Sequence, residues 1–156
     1  MPKKSRSAPV ITRTGDAGQT GLLGERRVAK DHPQVEAFGA IDEATSAIGL
    51  ARAVVADQTV REILLRVQRE LYELMADLAL PPENWGRLPW RMTSEHVAGL
   101  EEVAQQLKAR TTIAPKFVIP GETFAGAALD LARTIVRRAE RRVVTLERLG
   151  LLGNMV

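Results

Sequence analysis

Apolar residues recur at intervals of three and four along most of the chain, which is the spacing of amphipathic α-helices. The pattern predicts a first helix over 33–56, a second that begins after Asp57, a third over about 93–110 and a fourth over about 123–149. Asp57 is suited to cap the second helix. The connector 81–90 is rich in proline, and we expect its Trp85 and Trp90 to pack back onto the helices or onto a neighbouring subunit. The fold class that follows is an all-α, up-and-down helix bundle.

The segment before the first helix has no helical period. Residues 9–25 include the sequence TRTGDAGQTGLLGE, with four glycines among threonines, and are predicted to form a loop with short extended pieces. Glycines let backbone N–H groups turn towards an anion, hydroxyls add donors, and Arg13 adds positive charge. The segment could bind a polyphosphate or be a flexible surface loop, since it matches neither the P-loop nor the dinucleotide-binding spacing.

Five arginines crowd the fourth predicted helix. Arg133, Arg137 and Arg141 follow one another at steps of four, and Arg138 and Arg142 stand beside them. Like charges at this spacing repel each other and are better tolerated where anions or carboxylates bind. Glu140 is one partner within the helix. The pattern indicates a phosphate-binding helix, with a solvated basic face as the alternative.

Two further residues are candidates for a site. Asp42 is placed on the same helical face as Val35 and Phe38, where a carboxylate is costly unless it is paired. We expect an arginine of the fourth helix, from this or another subunit, as its partner; the alternative is an exposed acid at the edge of the stripe, as we expect for Glu43. Phe117, before a Pro-Gly turn, is expected in the core on its residue type alone.

The composition fits one soluble globular domain. Of 156 residues, 45% are hydrophobic and 26% charged, and no apolar stretch is long enough to span a membrane. The net charge of +3 is too small and too evenly spread to indicate nucleic acid by itself, although the arginines keep that alternative open. The basic start, 1–8, is followed by no apolar stretch, so we expect a disordered tail on a cytoplasmic protein.

Several chemistries are excluded or weakened by what the chain contains. It has no cysteine, which excludes disulfides, thiolate metal sites and cysteine nucleophiles. His32 and His96 are far apart, and neither has a second ligand at metal spacing. A histidine metal site or a Ser-His-Asp triad therefore has little support, and we predict no protein metal site.

Taken together, two blocks of the sequence resemble the PduO-type ATP:cob(I)alamin adenosyltransferases. The first, from Thr12 to Ala51, is TRTGDAGQTGLLGERRVAKDHPQVEAFGAIDEATSAIGLA. The second, from Phe117 to Val144, is FVIPGETFAGAALDLARTIVRRAERRVV. The helices between them agree with the family in length and pattern. The resemblance therefore covers nearly all of a single domain, 1–156.

The resemblance implies a homotrimer of five-helix bundles with active sites between subunits. The N-terminal loop would close over ATP and Mg²⁺, and the 5′-deoxyadenosyl group of ATP would pass to cob(I)alamin, giving adenosylcobalamin and triphosphate. ATP and cobalamin would both be substrates. A cob(II)alamin reductase and a cobalamin-dependent mutase or dehydratase would be further partners.

The resemblance also implies roles for individual residues. Arg137 and Glu140 would hold the nucleotide from the fourth helix, and Asp42 and Arg133 would form a salt bridge across the interface. Phe117 would lie below the corrin and keep the lower axial ligand off cobalt. Lys30 would lie near the phosphates. The loop itself would be formed by Thr12, Arg13, Thr14, Gly15, Asp16, Gly18, Thr20 and Gly21.

This sequence departs from the family pattern at several points. The family usually has lysine at Ala17, glycine at Glu122, histidine at Asp130 and asparagine at Thr45. Relatives continue past the equivalent of Asn154 into a further helix, which we expect this chain to lack. These departures sustain one alternative function, a non-catalytic module of the same fold that binds or delivers ATP or adenosylcobalamin.

Overall fold

A computed structural model describes residues 11–84, 91–112 and 115–152. A short antiparallel hairpin, β1 (Gln19–Gly21) and β2 (Arg27–Ala29), comes first. Four helices follow in the described ranges: α1 (Pro33–Val54), α2 (Gln58–Leu78), α3 (Ser94–Ala109) and α4 (Phe124–Arg148), with a 3-10 turn at Pro82–Asn84. The mainly helical architecture and the four predicted helices are confirmed. The basic tail 1–8, Trp85, Trp90 and the end of the chain beyond 152 lie outside the described residues.

Each helix begins where the sequence supplies an acceptor for its free N–H groups. Asp57 Oδ1 accepts from Val60 N at 3.0 Å, which confirms the predicted cap of α2. His32 Nδ1 accepts from Gln34 N at 3.2 Å at the start of α1, and Pro33 occupies the first turn, where no N–H is needed. Thr123 Oγ1 accepts from Gly126 N at 3.0 Å at the start of α4.

The core is centred on the contact between α1 and α4. α1 buries residues at alternating steps of three and four, and the set is Gln34, Ala37, Ile41, Ala44, Ile48 and Ala51. The buried residues of α4 are Ala128, Ala132, Ala139 and Leu146. Because most of these side chains are alanines, the two helix backbones can approach closely. We call this contact the alanine seam.

The direction of the seam follows from two ion pairs beside it. Glu43 of α1 pairs with Arg138 of α4, and Glu36, nearly two turns earlier, pairs with Arg142 at 3.8 Å. Residue numbers rise along one helix as they fall along the other, so α1 and α4 are antiparallel.

The other two helices pack differently from each other. α2 lies against a second side of α1, with Leu71, Leu74 and Met75 touching the core. α3 buries no residue completely, and its apolar stripe lines a cleft of about 610 Å³ beside Leu74 and Val143. α3 is tied to α2 by His96 Nε2, 3.9 Å from Glu73 Oε2. No helix within the described ranges has the length and apolar character needed to cross a membrane.

A larger side chain in the alanine seam should push the helices apart. Ala44 is 1% exposed, so Ala44→Leu is expected to cost about 1–3 kcal/mol of unfolding free energy. Thermal unfolding followed by circular dichroism should show a fall of several degrees, at about 2–4 °C per kcal/mol. Ala53→Leu adds the same volume at an exposed position of α1 and is the control. If Ala44→Leu and Ala53→Leu lowered the melting temperature equally, the close packing proposed at Ala44 would be wrong.

Candidate functional site

The segment that precedes α1 is folded back on itself by backbone hydrogen bonds. Gly18 N donates to Gly15 O at 3.1 Å, and Lys30 N donates to Gly18 O at 2.9 Å. Gly18 has φ +79° and Arg13 has φ +58°, so both adopt the left-handed conformation that turns successive amides. Thr20 and Gly21 lie in β1. We call residues 12–18 the phosphate loop, for the chemistry that its exposed amides and hydroxyls favour.

The side chain of Lys30 lies against the phosphate loop. A Cβ atom on Gly15 would lie 3.0 Å from Lys30 Cε and 3.1 Å from Lys30 Nζ, so glycine leaves room for the lysine. Thr12 Oγ1 and Thr14 Oγ1 are 3.0 Å apart on the same stretch. An ammonium group and two hydroxyls therefore share a small exposed region beside Gly15, which suits a polyphosphate.

Arg27 also organises the phosphate loop. Its Nη2 donates to Thr14 O at 2.8 Å and to Gln19 O at 3.1 Å, and these carbonyls flank residues 15–18. Sequence reasoning did not find this residue. To find it, the hairpin itself would have had to be predicted, because Arg27 lies in β2 opposite Gly21 of β1.

The arginines of α4 have different partners from those expected. Arg138 pairs with Glu43 and Arg142 with Glu36, both on α1. Glu43 is exposed, as expected from the sequence, and it also pairs with Arg138 because α1 and α4 lie side by side. Glu140, expected as a partner within the helix, makes no hydrogen bond or ion pair with any residue that the structure describes.

Two of the family-implied residues, Arg133 and Arg137, remain exposed on α4. Arg133 Nε is 2.8 Å from Asp130 Oδ1, its neighbour one turn earlier. Arg137 makes no ion pair within the described ranges, and its backbone oxygen accepts from Arg141 Nη1 at 2.9 Å. The guanidinium of Arg137 and the carboxylate of Glu140 are therefore available to a ligand.

Asp42 and Phe117 also face outwards. Asp42 is exposed and has no hydrogen bond or ion pair among the residues described, whereas Val35 and Phe38 are half-buried. Residues 35, 38 and 42 do lie on one side of α1, but within one chain Asp42 is exposed, which is the alternative that the sequence left open. Phe117 is fully exposed, as are Val118 and Ile119 nearby, so the expectation of a core aromatic is wrong.

One chain presents its candidate residues as two separate sets. Within residues 11–84, 91–112 and 115–152, no hydrogen bond or ion pair joins the phosphate loop to α4. The same part of the chain contains no group of three or more His, Asp or Glu that could hold a metal ion. A ligand that needs both sets would have to bridge them.

Comparison with known proteins gives a match over almost the whole chain. The family model described as cobalamin adenosyltransferase matches residues 10–152. The corrinoid adenosyltransferase PduO of Salmonella typhimurium is 39% identical over 137 residues, which are 88% of this chain but only 41% of that protein. A corrinoid adenosyltransferase of Bacillus subtilis is 44% identical over 141 residues, covering 88% of this chain and 71% of that protein.

Solved structures agree with this match. A variant PduO-type ATP:corrinoid adenosyltransferase from Lactobacillus reuteri, complexed with cobalamin and ATP, has a TM-score of 0.81 at 32% identity, over 90% of this chain and 78% of that one. A second variant from that organism, complexed with ATP, has a TM-score of 0.80 at 32% identity, over 89% and 78% of the two chains. Both likenesses are well above the level at which only the fold is shared.

Removal of Arg27 should loosen the phosphate loop without unfolding the bundle. In Arg27→Ala, the amides of Gly18 and Lys30 should exchange hydrogen about tenfold faster, because the bridge between the loop carbonyls is lost. Arg26→Ala is the matched control, since within the described residues the Arg26 side chain pairs with Glu83 at 3.8 Å and makes no hydrogen bond to the phosphate loop. Hydrogen–deuterium exchange measures both variants. Similar exchange in the two would exclude a special role for Arg27.

Proposed function

The chain belongs to the cobalamin adenosyltransferase family, and from that premise we propose that it transfers the 5′-deoxyadenosyl group of ATP to cob(I)alamin. The observation that carries the proposal is the match over residues 10–152, which includes both the phosphate loop and α4. The products are adenosylcobalamin and triphosphate.

This reaction requires that the two substrates are held in position, and it does not require a nucleophile from the protein. The electron pair of Co(I) forms a bond to C5′ of ATP, the C5′–O bond breaks, and triphosphate leaves with the electrons of that bond. The protein must hold C5′ in line with cobalt and stabilise the charge that develops on the leaving group. Cationic side chains and backbone amides are suited to both tasks.

The phosphate loop is the element that we assign to triphosphate. The donors on this one exposed surface include Lys30 Nζ and the hydroxyls of Thr12 and Thr14. We infer that Mg²⁺ arrives with ATP, held by its phosphates and water, with Asp16 as the nearest acid of the loop.

We assign Arg137 and Glu140 to the nucleotide from the side of α4. Both are exposed, and neither is committed to an ion pair within the described ranges. Since the phosphate loop and α4 are not joined within one chain, we propose that the complete site forms between the loop of one subunit and α4 of another. This assembly is a homotrimer.

The exposed apolar surface supports an assembly of this kind. A monomer seldom exposes many large apolar residues close together, and such surfaces mark interfaces. On α4 and the segment before it, the exposed large apolar residues are Phe117, Val118, Ile119, Phe124, Leu131, Val136 and Val144. We propose that some of them contact a neighbouring subunit. Phe117 would instead meet the corrin and keep the lower axial ligand off cobalt, which eases reduction of Co(II).

Other parts of the proposal concern partners and the rest of the bundle. A reductase that supplies Co(I) is needed, because the nucleophile is the reduced cobalt, and a cobalamin-dependent mutase or dehydratase would consume the product. The apolar cleft beside α3 has room for the further helix that the five-helix bundles of the family contain.

The alternative of a non-catalytic binding module rests on the departures from the family pattern. Ala17 and Glu122 are both exposed, so a missing phosphate contact and an added acid would each face a ligand directly. Asp130 holds Arg133 at 2.8 Å and could compete with Asp42 for it.

The direct test follows the corrin spectrum after the protein is mixed anaerobically with ATP, Mg²⁺ and chemically reduced cobalamin. We expect conversion to light-sensitive adenosylcobalamin, and Arg137→Ala should lower kcat/KM by about 10²–10³ through loss of charge stabilisation. Arg148→Ala removes an exposed arginine at the end of α4 and should keep normal activity. Tight adenosylcobalamin binding without turnover would favour the binding module, and full activity of Arg137→Ala would overturn the site assignment.

The interface pair Asp42–Arg133 can be tested against a neighbour in the sequence. Asp42→Asn should weaken the trimer, because Asp42 has no partner in its own chain, whereas Glu43→Gln loses only the pair with Arg138. Sedimentation velocity over a range of protein concentrations measures the assembly. If Asp42 and Arg133 pair, Asp42→Asn with Arg133→Gln should be no worse than either alone. Additive effects of the two changes on assembly would show that Asp42 and Arg133 do not interact.

A further inference from the structure

The end of α2 is held by a glutamine from α1. Gln34 Nε2 donates to Leu78 O and to Leu80 O, each at 3.2 Å, and the residue is only 3% exposed. Both hydrogens of the side-chain amide are therefore used. The carbonyl between them, Ala79 O, accepts from Leu23 N at 2.9 Å. Three successive carbonyls at the end of α2 are thus bonded to two other parts of the chain.

A helix end needs such partners. The last carbonyls of a helix have no N–H group within the helix, and a buried carbonyl without a donor is costly. Gln34 meets this need at Leu78 and Leu80 and so fixes how the chain leaves α2. The orientation of Ala79 O, which lies between them, is fixed by the same contacts.

That carbonyl is where the N-terminal hairpin is attached. Leu23 follows β1 by two residues, and its own backbone oxygen lies 3.5 Å from Asn84 Nδ2. Leu22 is buried at the same place. β1 leads back into the phosphate loop, and β2 leads on to Lys30. The position of the loop relative to the helices therefore depends on the end of α2.

We propose that Gln34 is a positioning residue for the nucleotide. It lies too deep to touch a ligand, and it acts through the carbonyls of α2, the hairpin and then the phosphate loop. The inference rests on the proposed function. If the hairpin detaches more often, a smaller fraction of the protein is ready to bind ATP, and the apparent affinity falls in proportion. The chemical step is unchanged once ATP is bound.

The test compares two glutamines that each donate Nε2 to a backbone carbonyl between α1 and α2. Gln34→Met removes the donors at the end of α2 and keeps a side chain of similar length. Gln68→Met is the control, because Gln68 donates to Thr45 O at 3.0 Å, far along the helices from the hairpin. Gln34→Glu serves as a second variant, since it keeps the shape of the side chain but, as a carboxylate, offers no donor to either carbonyl.

Two measurements are made on the full chain. Hydrogen–deuterium exchange without ligand reports the amide of Leu23, and steady-state assays report KM for ATP and kcat. In both Gln34 variants we expect exchange at Leu23 and KM for ATP to rise about tenfold, the change that about 1.4 kcal/mol produces, with kcat within about twofold of normal. Gln68→Met should leave both quantities unchanged.

Each contrary result has a distinct meaning. Normal exchange at Leu23 and normal KM in both Gln34 variants would overturn the proposal. Exchange that rises equally at Leu23 and along α4 would also overturn it, because Gln34 would then stabilise the whole fold and not position the loop. A wild-type protein without turnover would refute the proposed function, while faster exchange at Leu23 alone would still establish that Gln34 holds the hairpin.

Discussion

The close approach of α1 and α4 along the alanine seam is the constraint on which the rest of the structure depends. Because small side chains fill the seam, it can hold the two helices together while leaving most of their surface free. The arginines of α4 and the Asp42 side of α1 consequently face outwards. The same packing leaves Leu131 and Val144 exposed, so the helices that form the core also present a surface suited to assembly.

The phosphate loop has little core of its own. The buried apolar residues nearest to it in sequence, Leu22 and Val28, belong to the adjoining hairpin, and the contacts of the loop itself include backbone hydrogen bonds and the bridges from Arg27. A binding loop of this kind relies on a rigid scaffold for its position. Here the scaffold is the end of α2, which is itself held from α1. Helix packing, helix termination and loop placement are therefore linked in one chain of contacts.

The helices were predictable because their apolar spacing and caps are local properties. Asp57 and Pro33 mark helix starts that depend only on neighbouring residues, and both predictions held within two residues. Contacts between helices were less accessible. Glu43 looked like a solvated acid because nothing local indicates that Arg138 lies beside it. Gln34 is polar, a residue type that is usually exposed, and the sequence analysis did not place it among the buried residues. The subunit roles of Phe117 and Asp42 came from the family resemblance, since one folded chain leaves both exposed.

The alanine seam raises the question of what sets the position of one helix along the other. The buried alanines of α1 are seven residues apart, with Ile41 and Ile48 between them, so a shift of one turn would bring isoleucines to the places that alanines occupy. In such a shift one of the two ion pairs, Glu43–Arg138 or Glu36–Arg142, could re-form with the other arginine, but both could not. Leu146, fully buried, would also leave its place among the small side chains. The two ion pairs thus define one register of α1 against α4, and this register fixes the position of Arg137 along the bundle to within one helical turn.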